Sequence, residues 1–377
     1  MKKALVVANL AGFASFLLHD MKILQQKGYQ VSFAANANKM SWNDTKEEIE
    51  RMGVDFIQID FDSKNPLGKQ NRSALKQLKR VLAQGQYDFI HCHTPIAGLL
   101  TRYAARKYRR RGTKVIYTTH GLSYTKNSSW KTKFIYKTIE SMGSRWCDAI
   151  ITINSEDYEA VQQLHCKHTY KISGVGFDYA RFHDVSFDRE AFRQELGIAS
   201  DDIFVLAVGE LSSRKNHRSI IEALALLPDK DKYVFGICGG GIEGGIGEML
   251  QKLAEEKGVR LKLFGFRSDI PYMMHASDIG AIPSIREGLG LAGVQSLAAG
   301  VPLLGTDVQG IREYIIPGET GYLYSAFDIA GYAKGIQQLS NEATRTSMRE
   351  RCYEVAMQFD IAISRTQMKK IYAEILE

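Results

Sequence analysis

The chain has 377 residues, of which 45% are hydrophobic and 24% are charged. This composition excludes a disordered chain, and the length predicts two domains rather than one hydrophobic core. Residues 1–180 carry 27 basic and 15 acidic side chains, a formal charge of +12, whereas residues 181–377 carry 22 and 27, a charge of −5. The basic first half predicts an anionic partner such as a membrane surface, a nucleic acid or a phosphorylated ligand.

Cysteine spacing and hydropathy indicate the cellular compartment in which the protein is expected. The five cysteines are widely spaced and form no Cys-x-x-Cys pair, which argues against a disulfide framework or structural zinc and predicts a reducing cytoplasm. No segment reaches the roughly 18–20 apolar residues that cross a bilayer. Any membrane contact is therefore expected to be peripheral, at the inner face of the plasma membrane.

The first segment permits two interpretations. Met1-Lys2-Lys3, followed by a mostly apolar run to Leu18, resembles a signal peptide. The alternative is a buried strand over Ala4–Ala8, a loop around Asn9–Gly12 and then a helix. The sequence favours the strand, because Asn9 and Gly12 interrupt the run and no small-x-small cleavage site follows it.

Short β-branched runs then alternate with amphipathic stretches. The runs predict strands over Ala4–Ala8, Gln30–Ala34, Asp55–Ile59, Phe89–His91, Lys114–Thr118 and Ala149–Ile153. The stretches predict helices over His19–Lys27, Thr45–Met52, Ser73–Gln84 and Ala97–Tyr108. Such alternation predicts right-handed βαβ units and a parallel sheet.

Two histidine motifs end strands in this half. His91-Cys92-His93 puts two imidazoles on one face of a strand, which permits a metal interpretation, but no carboxylate or third ligand is obviously placed, and we predict no metal. His120, followed by Gly121 at the carboxyl edge of another strand, could face a cleft. The alternative for His120 is a structural role at the end of the sheet.

A basic cluster ends the helix that precedes His120. Arg106, Lys107, Arg109, Arg110 and Arg111 follow Arg102, with Tyr103 and Tyr108 interleaved. No recognisable nucleic-acid module surrounds the cluster, so we expect no nucleic-acid partner. Contact with anionic lipid and a solvated helix end both remain open.

The strand and helix pattern restarts in the second half. Strands are predicted over Ile203–Val208, Tyr233–Ile237, Arg260–Phe264, Ile279–Ile282 and Pro302–Gly305, and helices over Arg218–Leu227, Ile246–Lys257, Ala292–Ala299 and Ile329–Leu339. We therefore predict an α/β protein of two doubly wound domains, over residues 1–175 and 176–357. Met348–Leu376 is predicted to be helical throughout, and its last part, about residues 358–377, could pack back on the first domain.

One glycine motif suggests a dinucleotide site. Gly239-Gly-Gly241-Ile-Glu-Gly244 satisfies Gly-x-Gly-x-x-Gly between a predicted strand and a helix. The next strand, however, lacks an acidic residue that would hold a ribose. A phosphate-side loop explains the glycines equally well.

A second glycine motif predicts an anion site. Glu287 and the turn Gly288-Leu289-Gly290-Leu291 lie between a strand that ends at Pro283 and the start of a helix. Free N–H groups and the positive end of the helix dipole favour a phosphate there, and glycines let the backbone approach it closely. Glu287 is placed to accept hydrogen bonds from hydroxyls on the same ligand. A tight turn with an exposed glutamate is the alternative.

This block resembles the signature of retaining GT-B glycosyltransferases of family 4. Their pattern is Pro-Ser, a short gap, Glu-Gly-x-Gly-x and a second Glu eight residues after the first. Glu287 matches the first glutamate, which in the family contacts the transferred sugar, and Gly288–Leu291 match the turn that holds the diphosphate. Gln295 stands where the second glutamate holds the ribose, and it can still hydrogen-bond a hydroxyl.

A second match follows the first strand of the second half. The family shows Gly-Arg-Leu and then a lysine, whose cations neutralise the leaving diphosphate. Here Glu210 replaces the arginine, Lys215 matches the lysine, and Arg214 could supply the missing charge. Fixed cations at a departing diphosphate lower the barrier to transfer.

Two matches lie in the first half. The family carries a histidine near the transferred sugar and the acceptor, and His120 matches its position. The family also has a loop beside the acceptor and the diphosphate, and Gly12 lies in the matching loop. It also often shows His-x-His-x-Pro without a metal.

The resemblance implies two Rossmann-like domains that face each other across a cleft. The first would bind a lipid-linked or saccharide acceptor, with Arg106 to Arg111 towards an anionic membrane, and the second a nucleotide sugar, UDP-linked. It implies retaining, metal-independent hexosyl transfer without a cofactor, in the assembly of exopolysaccharide, capsule or O-antigen. A non-hydrolysing UDP-sugar epimerase of similar shape and an NAD-dependent oxidoreductase are the alternatives.

Overall fold

The computed structural model describes residues 1–38, 42–63, 65–66, 68–241 and 245–377. Its internal contacts divide the chain into two compact units. The first unit comprises Met1–Gly176 together with Ala362–Glu377, and the second comprises Phe177–Ile361. The predicted boundary lies one residue before this division.

The first unit is built on a parallel sheet. Its strands are β1 (Lys2–Leu10), β2 (Tyr29–Asn36), β3 (Asp55–Gln58), β4 (Phe89–His93), β5 (Lys114–Thr118), β6 (Ala149–Thr152) and β7 (His168–Lys171). Among the described residues these seven strands lie in the order β3-β2-β1-β4-β5-β6-β7. The apolar run from Ala4 to Ala8 is therefore part of a buried central strand, the interpretation that the sequence favoured.

Helices cover this sheet. They are α1 (Leu18–Gln26), α2 (Asn43–Arg51), α3 (Lys69–Gly85), α4 (Pro95–Arg109), α5 (Trp130–Ser144) and α6 (Ser155–Gln162), with a 3₁₀ helix over Ala11–Phe16. In α3, the buried residues Ala74, Leu78 and Leu82 recur every four positions and form one apolar stripe. The stripe joins strand residues such as Leu5 and Ile90 in one hydrophobic core.

The second unit repeats the same plan. Its strands are β8 (Ile203–Val208), β9 (Tyr233–Cys238), β10 (Arg260–Gly265), β11 (Ile279–Ile282), β12 (Leu303–Thr306) and β13 (Gly321–Tyr324). In the described part of this unit they form a six-stranded parallel sheet in the order β10-β9-β8-β11-β12-β13. Its helices are α7 (Tyr179–His183), α8 (Arg189–Glu195), α9 (Arg218–Ala225), α10 (Ile246–Lys257), α11 (Ile270–Ala276), α12 (Leu291–Ala298), α13 (Ile329–Leu339) and α14 (Glu342–Met357).

Both sheets have a topological switch point. The strand order reverses between β1 and β4 in the first unit and between β8 and β11 in the second. The connections that leave such a strand pair diverge to opposite faces of the sheet, so a crevice opens at the carboxyl ends of the strands. The candidate residues of each unit follow these strands or their neighbours.

The prediction of one continuous helix over Met348–Leu376 is wrong. α14 ends at Met357, and the last helix, α15 (Ile361–Leu376), begins three residues after Gln358. Phe177 donates a backbone hydrogen bond to Phe359 at 3.3 Å and accepts one from Ile361 at 2.9 Å. This strand-like pairing uses backbone groups that a continuous helix would need, and the chain leaves the second unit at the same point.

Candidate active site

The first candidate site lies in the second unit, at the carboxyl edge of the neighbouring strands β8 and β11. Residues 209–215 follow β8 and residues 283–290 follow β11. The two segments are joined where the Ile285 N–H donates to the Arg214 carbonyl at 2.9 Å. Lys215 and Glu287, which are 72 positions apart in the sequence, are thereby in direct contact.

Glu287 is the centre of this site. Its Oε1 atom accepts hydrogen bonds from Lys215 Nζ at 2.7 Å, from Arg214 Nη1 at 2.9 Å and from Ser284 Oγ at 3.0 Å. Within the described ranges, no residue donates a hydrogen bond to its other oxygen, Oε2. The carboxylate therefore organises both cations through one oxygen and leaves the second available to a ligand.

Electrostatics keep Glu287 ionised. Burial alone would raise the pKa of this carboxyl, but the charges of Lys215 and Arg214 outweigh the burial and hold the pKa below its ordinary value. The Glu287 side chain is only 11% exposed, so these charges interact with little screening by water. At neutral pH Glu287 is therefore a carboxylate, in contact with two cationic side chains.

The glycine turn lies directly beside Glu287. Gly290 has a φ of +81°, which a glycine adopts without strain, and it caps the N-terminus of α12. A Cβ atom on Gly310 would lie 2.1 Å from the Gly288 carbonyl oxygen, so only a glycine permits this approach. The buried Tyr314 supports the turn from below, and its hydroxyl donates to the Gly290 carbonyl at 3.2 Å.

The two departures from the family pattern lie in different surroundings. Glu210 is 60% exposed and accepts a hydrogen bond from Arg214 Nη2 at 3.1 Å. Arg214 is thereby held by a carboxylate on each side. Gln295 is half-buried on α12, one to two turns beyond the glycine turn.

The second candidate site lies in the first unit, where β1, β4 and β5 end. His120 follows β5, and its Nε2 atom lies 3.1 Å from Nδ1 of His93, the last residue of β4. Phe13 places its ring edge-on to His120 with 4.7 Å between centroids. Gly12 precedes Phe13 in the 3₁₀ helix, so the predicted loop over Asn9–Gly12 is wrong: Asn9 still belongs to β1, and its buried Oδ1 accepts from the Ala97 N–H at 2.8 Å.

Burial keeps these histidines neutral. Removal from water lowers the pKa of His120 to about 3 and lowers the pKa of His91 and His93 far below the ordinary value. His91 is fixed by Tyr372 Oη of α15 and Thr118 Oγ1, each at 2.7 Å. A neutral His120 can accept or donate a hydrogen bond, but it offers a ligand no ionic interaction.

The structure adds a carboxylate to the histidine motif that the sequence did not place. One ligand atom each of Asp20, His91 and His93 lies within 4.8 Å of the others. Both ring nitrogens of His91, however, already have hydrogen-bond partners, and burial raises the pKa of Asp20 to about 8, which keeps it protonated. This donor set does not fit a metal without rearrangement, and the expectation of no metal remains a prediction.

The basic cluster on α4 is smaller than the sequence suggested. Arg102 is fully buried: its Nη2 donates to Glu140 at 2.9 Å, and its guanidinium lies 4.0 Å from the centre of the Tyr117 ring. It therefore belongs to the core and not to a surface patch. Arg109 is held by Asp148 at 2.9 Å. The remaining cluster residues, Arg106, Lys107, Arg110 and Arg111, lie at the end of α4 and just beyond it.

Sequence reasoning missed several residues that build the two sites. Asn216 adopts a φ of +54° and donates through Nδ2 to the Pro283 carbonyl at 3.1 Å, which holds the turn after β8 in place. Ser284 is part of the Pro-Ser pair and could have been identified from it. Tyr314 and Phe13 act through packing across distant segments, for which a single sequence carries no signal.

The Gly239–Gly241 segment follows β9, the second strand of its sheet in chain order and not the first. A dinucleotide fingerprint belongs to the first βα turn of such a domain. Gly244 lies outside the described residues, so the full motif has no structural description.

Two families match the chain, one for each unit. Residues 12–171 match the family described as Glycosyltransferase Family 4, and residues 188–358 match Glycosyl transferases group 1. The chain is 34% identical over 372 residues to EpsD of Bacillus subtilis (strain 168), which is named as a glycosyltransferase, with 97% of this chain and 94% of EpsD covered. The chain therefore belongs to glycosyltransferase family 4, and it is a glycosyltransferase.

Further relatives share most of the length. The UDP-Gal:alpha-D-GlcNAc-diphosphoundecaprenol alpha-1,3-galactosyltransferase of Escherichia coli is 25% identical over 324 residues, with 81% of this chain and 80% of that protein covered. The D-inositol 3-phosphate glycosyltransferase of Corynebacterium glutamicum is 30% identical over 315 residues, with 77% and 73% covered.

Solved structures show the same fold. Anabaena Alr3699/HepE, crystallised with UDP and glucose, has a TM-score of 0.79 at 21% identity and covers 99% of this chain and 100% of its own. WaaG, a glycosyltransferase involved in lipopolysaccharide biosynthesis, has a TM-score of 0.74 at 16% identity, with 98% and 99% covered. The fold is GT-B, as the family resemblance implied.

Proposed function

We propose that this glycosyltransferase moves a hexose-type sugar from a UDP-linked donor to a lipid-linked saccharide acceptor in cell-surface polysaccharide biosynthesis. The observation that carries the proposal is the group of Glu287, Lys215 and Arg214 beside the N-terminus of α12. Two cations and a helix N-terminus favour a diphosphate, and a carboxylate with one available oxygen favours sugar hydroxyls.

Each group then has a distinct role towards the donor. Lys215 and Arg214 contact the diphosphate, together with the backbone of Gly288–Leu291. Glu287 Oε2 accepts hydrogen bonds from the transferred sugar, while Oε1 keeps the cations in place. Gln295 hydrogen-bonds a ribose hydroxyl without adding charge.

Transfer breaks the bond between the sugar C1 and the diphosphate oxygen and forms a bond from C1 to the acceptor oxygen on the same face. Because the new bond forms on the face from which the diphosphate leaves, the configuration at C1 is retained. The acceptor hydroxyl gives its proton to the departing diphosphate oxygen, so no side chain needs to act as general base. Negative charge accumulates on the leaving group, and the fixed cations stabilise it. Because these side chains supply the positive charge, we propose that no metal or other cofactor takes part.

The first unit would receive the acceptor. His120 and the backbone at Gly12 lie together at the switch point of its sheet. Nε2 of the neutral His120 is engaged with His93, so its Nδ1 is the atom that would exchange a hydrogen bond with a sugar hydroxyl, as donor or acceptor according to the tautomer.

Relatives support the substrate classes. The name of the Escherichia coli relative specifies UDP-galactose as its donor and a diphosphoundecaprenol-linked saccharide as its acceptor. The HepE structure contains UDP and glucose. A non-hydrolysing UDP-sugar epimerase would also bind UDP, but it would consume the donor without an acceptor.

Thermal unfolding with nucleotides tests the donor. We expect UDP to raise the unfolding temperature of the purified protein, because a ligand at 100 times its Kd stabilises the folded state by about 2.7 kcal/mol. UMP, which lacks the second phosphate that the cations would meet, serves as the matched control and should give a smaller shift. Stabilisation by NAD without stabilisation by UDP or GDP would contradict the proposal.

A further inference from the structure

One helix of the first unit exposes an unusual amount of apolar surface. On α5, Trp130 is 74% exposed, Phe134 is 70%, Ile135 is 54% and Met142 is 50%. At 3.6 residues per turn these four side chains fall within about 140° of the helix circumference. They share the exposed side of α5 with Lys131 and Thr138, and we call this side the α5 face. A helix in water normally turns its large apolar side chains inwards.

The charges on the same helix are of one sign. Lys131, Lys137 and Arg145, just beyond the helix end, are exposed next to the apolar side chains. Glu140, the acidic residue of α5, is buried and its charge is neutralised by Arg102 at 2.9 Å. The α5 face therefore presents apolar and cationic groups without an exposed carboxylate from the helix.

A basic cavity adjoins the α5 face. It has a volume of about 440 Å³, and its lining consists of Arg106, Lys107, Arg109, Arg110, Arg145 and Trp146. Arg145 also lines a second cavity of about 440 Å³ between Phe134, Met142 and neighbouring residues. The cationic cavity and the α5 face are therefore parts of one continuous surface.

Charge decides what can cover this surface. A second copy of the chain would, in a two-fold dimer, bring two copies of the same cationic surface together, and like charges disfavour that contact. An anionic bilayer offers phosphates to the basic cavity and an apolar interior to Trp130 and Phe134, whose rings suit the interface between the two. No helix in the described ranges is long and apolar enough to span a bilayer.

We propose that the α5 face and the adjoining basic cavity dock the protein on an anionic phospholipid bilayer. The aromatic side chains enter the interfacial layer, and the cavity takes the phosphate of an anionic headgroup. This inference rests on the proposed function, because a lipid-linked acceptor is presented at such a surface. The test of docking uses neither nucleotide nor acceptor. A failure of the docking proposal can therefore be told apart from a failure of the proposed glycosyl transfer.

The experiment measures binding of the full chain to vesicles by co-sedimentation. Vesicles of phosphatidylcholine with phosphatidylglycerol should bind the wild type, and pure phosphatidylcholine vesicles should bind it weakly. Replacing the aromatic pair (Trp130→Ser with Phe134→Ser) should weaken binding at least tenfold. Replacing the basic pair (Arg106→Gln with Arg110→Gln) should lower the affinity for these vesicles about fivefold for each charge removed. The dependence of vesicle binding on salt concentration should also decrease.

Matched controls come from the second unit. Phe266 and Phe327 are 89% and 69% exposed, so Phe266→Ser with Phe327→Ser removes as much exposed aromatic surface elsewhere, and we expect unchanged vesicle binding. Lys252→Gln with Lys257→Gln removes two exposed charges from α10 and should likewise have little effect.

Fluorescence of Trp130 locates the contact. Trp42→Phe with Trp146→Phe leaves Trp130 as the only tryptophan, and lipids brominated near the headgroup should quench its emission on binding. Vesicle binding without quenching, or equal binding by the aromatic variant, would overturn the proposal. So would a concentration-dependent dimer in sedimentation velocity that the aromatic variant abolishes, because that result would assign the surface to a second copy.

Discussion

Glu287→Ala is expected to lower the turnover of glycosyl transfer at least tenfold, which corresponds to about 1.4 kcal/mol of transition-state stabilisation. The carboxylate lies 2.7 Å from Lys215 and 2.9 Å from Arg214, so its removal deprives the sugar of an acceptor and the cations of their common partner. Steady-state kinetics with saturating donor measure the effect.

The variant should remain folded and should still bind UDP. Lys215 is only 16% exposed, so the loss of its partner is expected to cost about 1–3 kcal/mol of unfolding free energy, which thermal unfolding will show. UDP affinity should stay equal or increase, because the cations are no longer neutralised by the carboxylate. Glu287→Gln, which retains an acceptor oxygen without the charge, should fall between Glu287→Ala and the wild type.

A control replaces a glutamate of the same unit that lies outside the site. Glu319 is 53% exposed and pairs with Arg351, and Glu319→Ala should transfer sugar at the wild-type rate. A purified, folded Glu287→Ala that equals the wild type in turnover would show that the site is wrongly assigned.

Lys215→Ala is expected to lower turnover at least tenfold and also to weaken UDP binding. Its ammonium group is the more buried of the two cations, with 16% exposure against 37% for Arg214. A buried cation aimed at the leaving group stabilises the developing charge more than an exposed one. Isothermal titration with UDP and steady-state kinetics measure the two effects.

Opposite effects on UDP affinity separate the roles of the two residues. Loss of Lys215 should raise the Kd for UDP, whereas loss of Glu287 should not. Lys252→Ala, which removes a 78% exposed lysine on α10, is the matched control and should change neither quantity. If Lys215→Ala kept both the wild-type Kd and the wild-type turnover, this lysine would not contact the diphosphate.

The sequence predicted the plan of both sheets because parallel strands leave a direct hydrophobic signal. β5, β8, β11, α10 and α13 have the predicted bounds, since each is a compact run limited by polar residues, glycine or proline. β7 was missed because His168–Lys171 is a polar segment at the sheet edge, with both end residues exposed. β13 was missed because its first residue, Gly321, completes a turn and only three residues remain to show a pattern.

α5 was missed for a physical reason that bears on its role. Helix periodicity is recognised when apolar residues form one face that turns inwards. In α5 the large apolar side chains Trp130, Phe134 and Ile135 lie on the exposed side, while Gly143 and Ser144 lie on the buried side. The departure from the expected pattern is the same feature that suggests a docking surface.

The chemistry of the sites was predictable only in part. Glu287, Lys215 and the glycine turn were identified because their spacing matches a family signature, and the structure places them together. Pairs such as His91 and Tyr372, 281 positions apart, depend on how α15 returns to the first unit, which no local pattern encodes. Asp20 likewise joins the histidines only through the fold.

The most direct test of the account is transfer of labelled sugar from UDP-sugars to a diphosphoundecaprenol-linked saccharide, in buffer with EDTA. We expect label in the lipid-extractable product only when donor and acceptor are both present, with UDP released in equal amount. Consumption of the UDP-sugar without acceptor, or no transfer until a divalent metal is added, would contradict it.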